Sequence, residues 1–222
     1  MKHSISLPTG LFWVFVWVGF MILYTFLDVA IWRKIFPAGR KYLNIISILL
    51  CTVGYIFLLV KKNNFALRPF STLSWQGILL ALGCAVLFYF VLDLFFDPLL
   101  AKLFPSSEEN YQETLSQLSE TPMITLLQIC ILAPILEEIL MRGFLLGGLS
   151  FRYGKTTALF LSSILFALLH FNMVQTLSAF VCGFVLGLLY LNTNSLFCCI
   201  LAHMGYNLLA YITTILPLYT KK

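Results

Sequence analysis

The sequence predicts an all-α protein, a polytopic bundle of transmembrane helices with about seven spans and one interfacial amphipathic helix. Its composition is the first indication. Of 222 residues, 60% are hydrophobic and 10% are charged, whereas charged residues make up about 25% of an ordinary soluble domain. The second indication is that the apolar residues form long runs, because a helix needs about 20 of them to cross the hydrocarbon core of a bilayer. The chain is therefore predicted to be an integral membrane protein.

Seven apolar runs are candidate spans. The first three contain few polar groups, apart from Asp28, Asp93 and Asp97 near their ends. The fifth is short and lies close to the sixth, so the two are expected to form a tight hairpin. Gly183 and Gly187 form a GxxxG pattern in the sixth run, which permits close helix approach. The predicted spans are 11–32, 42–60, 75–97, 122–147, 156–171, 174–192 and 196–218.

The segment 98–121 interrupts this pattern. Pro105 is followed by a polar, acidic stretch in which Leu115 and Leu118 recur at helical spacing. A helix with one apolar and one charged face is typical of the membrane interface. We therefore predict an amphipathic helix there. Because no internal repeat is evident, the whole chain is interpreted as one membrane domain.

The net charge of +5 indicates contact with lipid headgroups rather than with nucleic acid. The six cysteines all lie in apolar stretches without a CxxC pair, so they are predicted to pack as small hydrophobic residues. The basic residues that are predicted to flank the bilayer are Arg33, Lys34, Arg40, Lys41, Lys61, Lys62, Arg68, Lys221 and Lys222.

The last four spans contain a concentration of ionisable residues. Such a residue is costly in a membrane span, by at least about 2.5–3.5 kcal/mol for Asp, Lys or Arg at the centre. Two of the three histidines of the chain belong to this set. A purely structural role would rarely select these residue types, so the set predicts a functional polar site. Its members are Glu137, Glu138, Arg142, His170 and His203.

The two adjacent glutamates are predicted to have different surroundings. Glu138 and Arg142 are four residues apart, which places them on one helix face and allows an ion pair. Glu137 is rotated by about 100° from Glu138 and lacks a local countercharge, which leaves it free to act as a base. Pro134 predicts a kink that opens this helix to water.

Two further pairs have the same i, i+4 spacing. Phe166 precedes His170 by one turn, and His203 precedes Asn207 by one turn. Taken alone, each pair is equally consistent with helix packing or an interhelical hydrogen bond. Taken together with the glutamates, they are expected to converge inside the bundle, because lipid offers polar groups no partner. A carboxylate, two imidazoles and an amide would supply a base, a proton shuttle and an oxyanion site for water attack on a peptide carbonyl.

The ordered motifs EExxxR, FxxxH and HxxxN resemble those of the CAAX-processing and bacteriocin-processing (CPBP) membrane endopeptidases. The resemblance covers roughly residues 120–215. It implies that 122–222 form the catalytic core, and that 1–121 contain variable N-terminal spans and the interfacial helix. It also implies a membrane-associated peptide or protein substrate, and the small size of the chain favours a bacterial cell membrane.

The resemblance also implies a role for each site residue. Glu137 and His170 would activate the water, whereas His203 and Asn207 would stabilise the oxyanion. The supporting residues would be Glu138 and Arg142, which brace the site, and Phe166, which positions His170.

No cofactor is favoured by this interpretation. Zinc remains an alternative, since Glu137, His170 and His203 could also form a two-histidine, one-carboxylate ligand set. The HExxH pattern of other metalloproteases does not occur in the sequence. We therefore favour a glutamic mechanism over a metallopeptidase.

Two other classes of protein share some of these features. A non-catalytic bacteriocin self-immunity or regulatory membrane protein could keep the same fold without hydrolysing a peptide. A proton-coupled transporter would also place Glu and His inside the membrane, but paired half-repeats with broken helices are expected of that class and none is found. The intact motifs favour the endopeptidase over both.

Overall fold

The computed structural model describes residues 4–67, 70 and 72–220. Arg68, Lys221 and Lys222, which are predicted to flank the bilayer, lie outside the described residues. Within the described ranges every regular element is helical. The helices are α1 (Leu7–Ile35), α2 (Arg40–Asn63), α3 (Trp75–Leu103), α4 (Pro105–Leu118), α5 (Pro122–Tyr153), α6 (Lys155–Leu168), α7 (Met173–Thr193) and α8 (Leu196–Thr220).

Six helices of the described chain are long and apolar enough to cross a membrane, namely α1, α2, α3, α5, α7 and α8. This confirms an all-α, multi-pass integral membrane protein. The predicted fifth span is shorter than expected: α6 has 14 residues, which at 1.5 Å per residue is about 21 Å, less than the roughly 30 Å of a hydrocarbon core. It ends at Leu168, so His170 lies in the turn after the helix.

The predicted amphipathic helix is present as α4. Its start differs from the prediction, because α3 continues through Pro98 to Leu103 before the chain turns at Phe104. Proline is tolerated at Pro98 and Pro105 because each occupies the first turn of a regular α-helical segment.

Helix starts follow the capping residues of the sequence. A side-chain oxygen of each of four residues accepts a hydrogen bond from a backbone N–H in the first turn, which satisfies a donor that has no partner within the helix. These capping residues are Ser6 of α1, Ser74 of α3, Asn172 of α7 and Ser195 of α8.

Helix α5, which carries the two glutamates, is irregular on both sides of them. Its segments Leu126–Leu132 and Ile139–Leu146 are π-helical. Pro134 has no N–H to offer to a carbonyl of the preceding turn. The Asn207 side chain donates its Nδ2–H to the Ile129 carbonyl oxygen at 3.0 Å, which compensates for that missing donor. The irregularity predicted at Pro134 is therefore a π-helical segment just before the proline, and Asn207 of α8 binds a carbonyl within it.

The predicted hairpin of the fifth and sixth runs is confirmed by the packing of α6 on α7. A Cβ atom built on Gly187 would lie 2.3 Å from Leu159 Cδ1, and one built on Gly183 would lie 2.9 Å from Phe166 Cδ1. Only hydrogen fits at these two positions. The glycines therefore bring α7 close to α6 and to the end of α6 that precedes His170.

The N-terminal spans share a hydrophobic core with the rest of the chain. The ring of Trp13 in α1 lies 5.9 Å from the ring of Tyr55 in α2 and 6.5 Å from that of Phe144 in α5. The Tyr55 hydroxyl, which is fully buried, donates to the Trp13 carbonyl oxygen at 2.9 Å. Helix α3 packs along α8, where Gly77 again permits close approach. These contacts join the N-terminal spans to α5 and α8, the two helices with most site residues.

Candidate active site

Glu138 is the most deeply buried member of the predicted site. Its side chain is 0% exposed, and its Oε1 atom accepts hydrogen bonds from Arg142 Nη1 at 2.7 Å and from His203 Nδ1 at 2.9 Å. Its Oε2 atom is buried without a hydrogen-bond partner among the described residues. The predicted Glu138–Arg142 pair is present, and the sequence did not indicate that His203 would join it.

Arg142 connects three parts of the site. Beside its bond to Glu138, its Nη2 donates to the Gly183 carbonyl oxygen at 3.1 Å. Its guanidinium lies 4.7 Å from the centroid of the Phe166 ring, a distance at which the face of an aromatic ring attracts a cation. The side chain is 1% exposed. One buried cation therefore binds α5 to α6 and α7.

His203 lies between the two glutamates. Because a carboxylate can only accept, Nδ1 of His203 carries the proton that binds Glu138. The opposite nitrogen, Nε2, is 3.8 Å from Glu137 Oε2. The Glu137 side chain is 24% exposed, whereas that of Glu138 is fully buried. Glu137 is therefore the glutamate that solvent and a ligand can reach.

Phe166 contacts both histidines of the site. Its ring is 5.1 Å from that of His170 and 5.8 Å from that of His203, edge to face in both cases. The His170 Nδ1 atom is 3.1 Å from the Phe166 carbonyl oxygen, which orients the imidazole although it lies beyond the helix. Phe166 thus contacts His170, His203 and Arg142.

Asn207 is one turn from His203 on α8 and faces α5 through its bond to Ile129. That bond uses one N–H of its amide. An amide nitrogen carries two hydrogens, so a second donor remains. The i, i+4 spacing correctly placed His203 and Asn207 on one helix face, but the two side chains bind different residues of α5.

A cavity of about 600 Å³ brings these residues to a common surface. Candidate catalytic residues and Phe166 line it, together with residues of α3 and α4. Asn172 Nδ2 donates to the Ser107 carbonyl oxygen at 2.9 Å, which joins the start of α4 to the turn that holds His170. The site residues in the lining are Glu137, Phe166, His170, His203 and Asn207. Glu138 and Arg142 lie behind this wall.

Within the described residues, no group of three or more His, Cys, Asp or Glu side chains is arranged to hold a metal ion. Of the zinc ligands considered from the sequence, Glu137 and His203 are adjacent, and His203 already uses Nδ1 for Glu138.

Sequence reasoning missed several residues of the site. Gly183 was noted for helix packing but not as the acceptor for Arg142. Asp93, Asp97 and Tyr206 also line the cavity, and the Tyr206 hydroxyl donates to Asp93 Oδ1 at 2.7 Å. The sequence contained one signal for this part of the site, because Asp93 and Asp97 place two carboxylates within a predicted span.

Comparison with known proteins gives two matches. Residues 119–209 match the family described as Type II CAAX prenyl endopeptidase Rce1-like. A Bacillus subtilis (strain 168) protein, named "Putative membrane peptidase YdiL", is 31% identical over 112 residues, which cover 49% of this chain and 44% of the relative. The chain thus spans less than half the length of that curated relative. No solved structure gives a significant match.

The fold and the site define a multi-pass membrane protein with a polar, ion-paired cluster enclosed among its spans. Its matched region contains all three motifs on which the resemblance rests. This part of the chain is similar to the Rce1-like family of Type II CAAX prenyl endopeptidases.

Proposed function

We propose that the protein is an intramembrane endopeptidase that hydrolyses a peptide bond of a membrane-associated protein or peptide. The main support is that the two adjacent glutamates differ in burial and in hydrogen-bond partners. Glu138 is fully buried and bound to Arg142 and His203, whereas Glu137 faces the cavity, 3.8 Å from His203 Nε2. A carboxylate beside an imidazole, at the wall of a cavity that water can enter, suits the activation of water.

In the proposed reaction, Glu137 accepts a proton from a water molecule whose oxygen attacks the peptide carbonyl carbon. His170, on the same cavity wall, assists in holding that water. The carbon–nitrogen bond then breaks, and Glu137 returns the proton to the leaving amine. The sum is the addition of one water molecule across one peptide bond.

The negative oxygen of the tetrahedral intermediate would be stabilised by His203 and Asn207. For His203 to donate from Nε2 as well as to Glu138 from Nδ1, both ring nitrogens must carry a proton. Asn207 has a second amide hydrogen to offer. Removing a donor of this kind from an enzyme costs about 10²–10³ in kcat.

A substitution at Glu137 tests the proposal without a known substrate. Glu137→Gln keeps the size of the side chain but removes the base, so the peptides that depend on this protein should disappear while its level in the membrane is unchanged. Mass spectrometry of the peptides released by cells that express each variant is the measurement. Glu109→Gln is the matched control, because Glu109 is exposed on α4 and the chemical change is identical.

The released peptides also separate endopeptidase activity from other roles. Loss of specific peptides in Glu137→Gln but not in Glu109→Gln supports the proposal. If cells with and without the protein release the same peptides, hydrolysis is contradicted, and a non-catalytic immunity or regulatory role is favoured.

Metal removal distinguishes the two catalytic mechanisms. We propose glutamic catalysis, so purified protein treated with a strong chelator should retain its cleavage rate on a peptide identified as above. If activity falls and added zinc restores it, zinc catalysis replaces the glutamic mechanism. Peptide hydrolysis before chelation, after chelation and after zinc addition is measured on one preparation.

A further inference from the structure

The cavity that contains Glu137 extends to a second set of carboxylates. Asp93 and Asp97 of α3 and Glu108 of α4 line it, and we call these three residues the acidic end. Among the described residues, no Lys or Arg lines the cavity. The α3 and α4 helices lie outside residues 119–209 that match the family, so this end of the cavity is contributed by the part of the chain that the match does not cover.

Neutral groups hold the two aspartates in place. The Tyr206 hydroxyl donates to Asp93 Oδ1, and the Ser178 hydroxyl donates to Asp97 Oδ1. Neither hydroxyl carries a positive charge. Asp93 and Asp97 are also four residues apart on one helix, a spacing at which like charges repel. The aspartates are thus positioned at the cavity wall, and no Lys or Arg within the described part of the chain lines that wall beside them.

Tyr111 of α4 lies near the carboxylates of the acidic end. Its side chain lines the cavity. Burial raises the pKa of the Tyr111 phenol, and the nearby carboxylates of Asp97, Asp93 and Glu108 raise it further. A negative potential of this kind attracts a cationic group of a ligand.

The acidic end is close to the candidate catalytic residues. Tyr206, whose hydroxyl binds Asp93, is the residue before Asn207 on α8 and follows His203 by three residues. Three residues of helix correspond to about 4.5 Å. The acidic end and the candidate catalytic residues also line the same cavity.

We propose that the acidic end makes the cavity selective for substrates with a lysine or arginine side chain near the bond to be cleaved. An ammonium or guanidinium group would bind between Asp93 and Asp97 and supply the missing countercharge. The bond to be cleaved would then lie beside Glu137 in the same cavity. The position of the cleaved bond rests on the proposed function, whereas the preference of the cavity for a cationic side chain does not.

A binding experiment tests the preference independently of hydrolysis. The probe is a fluorescent, palmitoylated peptide of sequence Ala-Leu-Lys-Ala-Leu-Ala, and its counterpart has norleucine in place of lysine. The protein is placed in nanodiscs of zwitterionic phosphatidylcholine, which offers no net charge of its own. All variants carry Glu137→Gln, so that no probe is hydrolysed.

We expect the lysine probe to bind at least about tenfold more tightly than the norleucine probe, as one desolvated ion pair can provide. Asp93→Asn with Asp97→Asn should abolish this difference and leave norleucine binding unchanged, since asparagine still accepts from Tyr206 and Ser178. The control is Glu109→Gln with Glu113→Gln, which removes two charges at the same spacing from the exposed face of α4. It should keep the preference.

Equal binding of the two probes would overturn the proposal, as would a preference that survives in the Asp93 and Asp97 variant or is lost in the control. Asp97→Lys provides a second test, because the new ammonium group would pair with Asp93 one turn away and should abolish the preference for lysine. A failure of Glu137-dependent cleavage would contradict the proposed function but would leave these binding results intact, so the two failures are distinguishable.

Discussion

The Arg142 guanidinium balances the charge of Glu138, whose side chain is buried away from bulk water. It binds Glu138 at 2.7 Å, and both side chains are at most 1% exposed. Removing one partner of a buried ion pair leaves the other as an uncompensated charge, which costs about 3–5 kcal/mol. The same guanidinium also binds the Gly183 carbonyl and the Phe166 ring. Arg142 is therefore expected to stabilise the fold as well as the site.

Arg142→Met is predicted to lower the free energy of unfolding by about 3–5 kcal/mol. Thermal unfolding in detergent, followed with a dye that reacts with the buried thiols of Cys198 and Cys199, is the measurement. The control is Arg33→Met, since the Arg33 side chain is 55% exposed and lies 3.9 Å from Asp28, a loose pair that should contribute at most about 1 kcal/mol. Similar losses in both variants would argue against a buried pair.

The α6–α7 hairpin is the element that brings His170 to the site. Its close packing depends on Gly183 and Gly187, because any larger side chain would meet Phe166 or Leu159. Phe166 in turn contacts His170 and His203. A change of spacing between α6 and α7 is therefore transmitted to both histidines through one ring.

Gly187→Ala is predicted to destabilise the protein by about 1–3 kcal/mol, as overpacking of a well-packed core does. Gly19→Ala is the control, because a Cβ atom there meets nothing within 4 Å, and alanine favours a helix over glycine by about 1 kcal/mol. Unfolding in detergent should shift in opposite directions for these two variants.

Leu159→Ala offers a rescue of the Gly187 variant. It removes the side chain with which the new methyl group collides, so the double variant should be more stable than the sum of the two single changes predicts. Additive effects would show that the clash at Leu159 does not govern the hairpin.

The whole molecule is built around contacts between its N-terminal spans and its matched core. Trp13 and Tyr55 pack against Phe144, and the Tyr206 hydroxyl of α8 binds Asp93 of α3. The cavity itself has walls from both parts. The division of the chain at residue 121, which follows from the resemblance, therefore does not correspond to a gap in the packing.

A split of the chain is predicted to show this dependence. Residues 122–222 expressed alone should aggregate or be degraded, because their contact surface for α1 and α3 would be uncovered. When residues 1–121 are produced in the same cells, the two fragments should copurify in detergent and unfold together. Recovery of residues 122–222 alone, with the unfolding temperature of the intact chain, would contradict a shared core.

The sequence by itself determined the class of fold and the local geometry of the site. Long apolar runs require helices in a bilayer, since lipid offers no partner for backbone groups, and six of the described helices are long enough to span it. The i, i+4 spacing fixed the Glu138–Arg142 pair, because residues four apart meet on any α-helix. Composition and spacing are sufficient for these features because each depends only on neighbours along the chain.

Only the tertiary structure decided which residues meet across helices. In the folded chain His203 binds Glu138, and Asn207 binds the carbonyl of Ile129. Helix α6 ends at Leu168, so His170 lies in a turn. The tertiary structure also brought Asp93 and Asp97 into the cavity of Glu137. His203, the partner of Glu138, is 65 residues away in the chain, and Tyr206, the partner of Asp93, is 113 residues away. Such pairs depend on the rotation and depth of each packed helix, which spacing within a single helix does not specify.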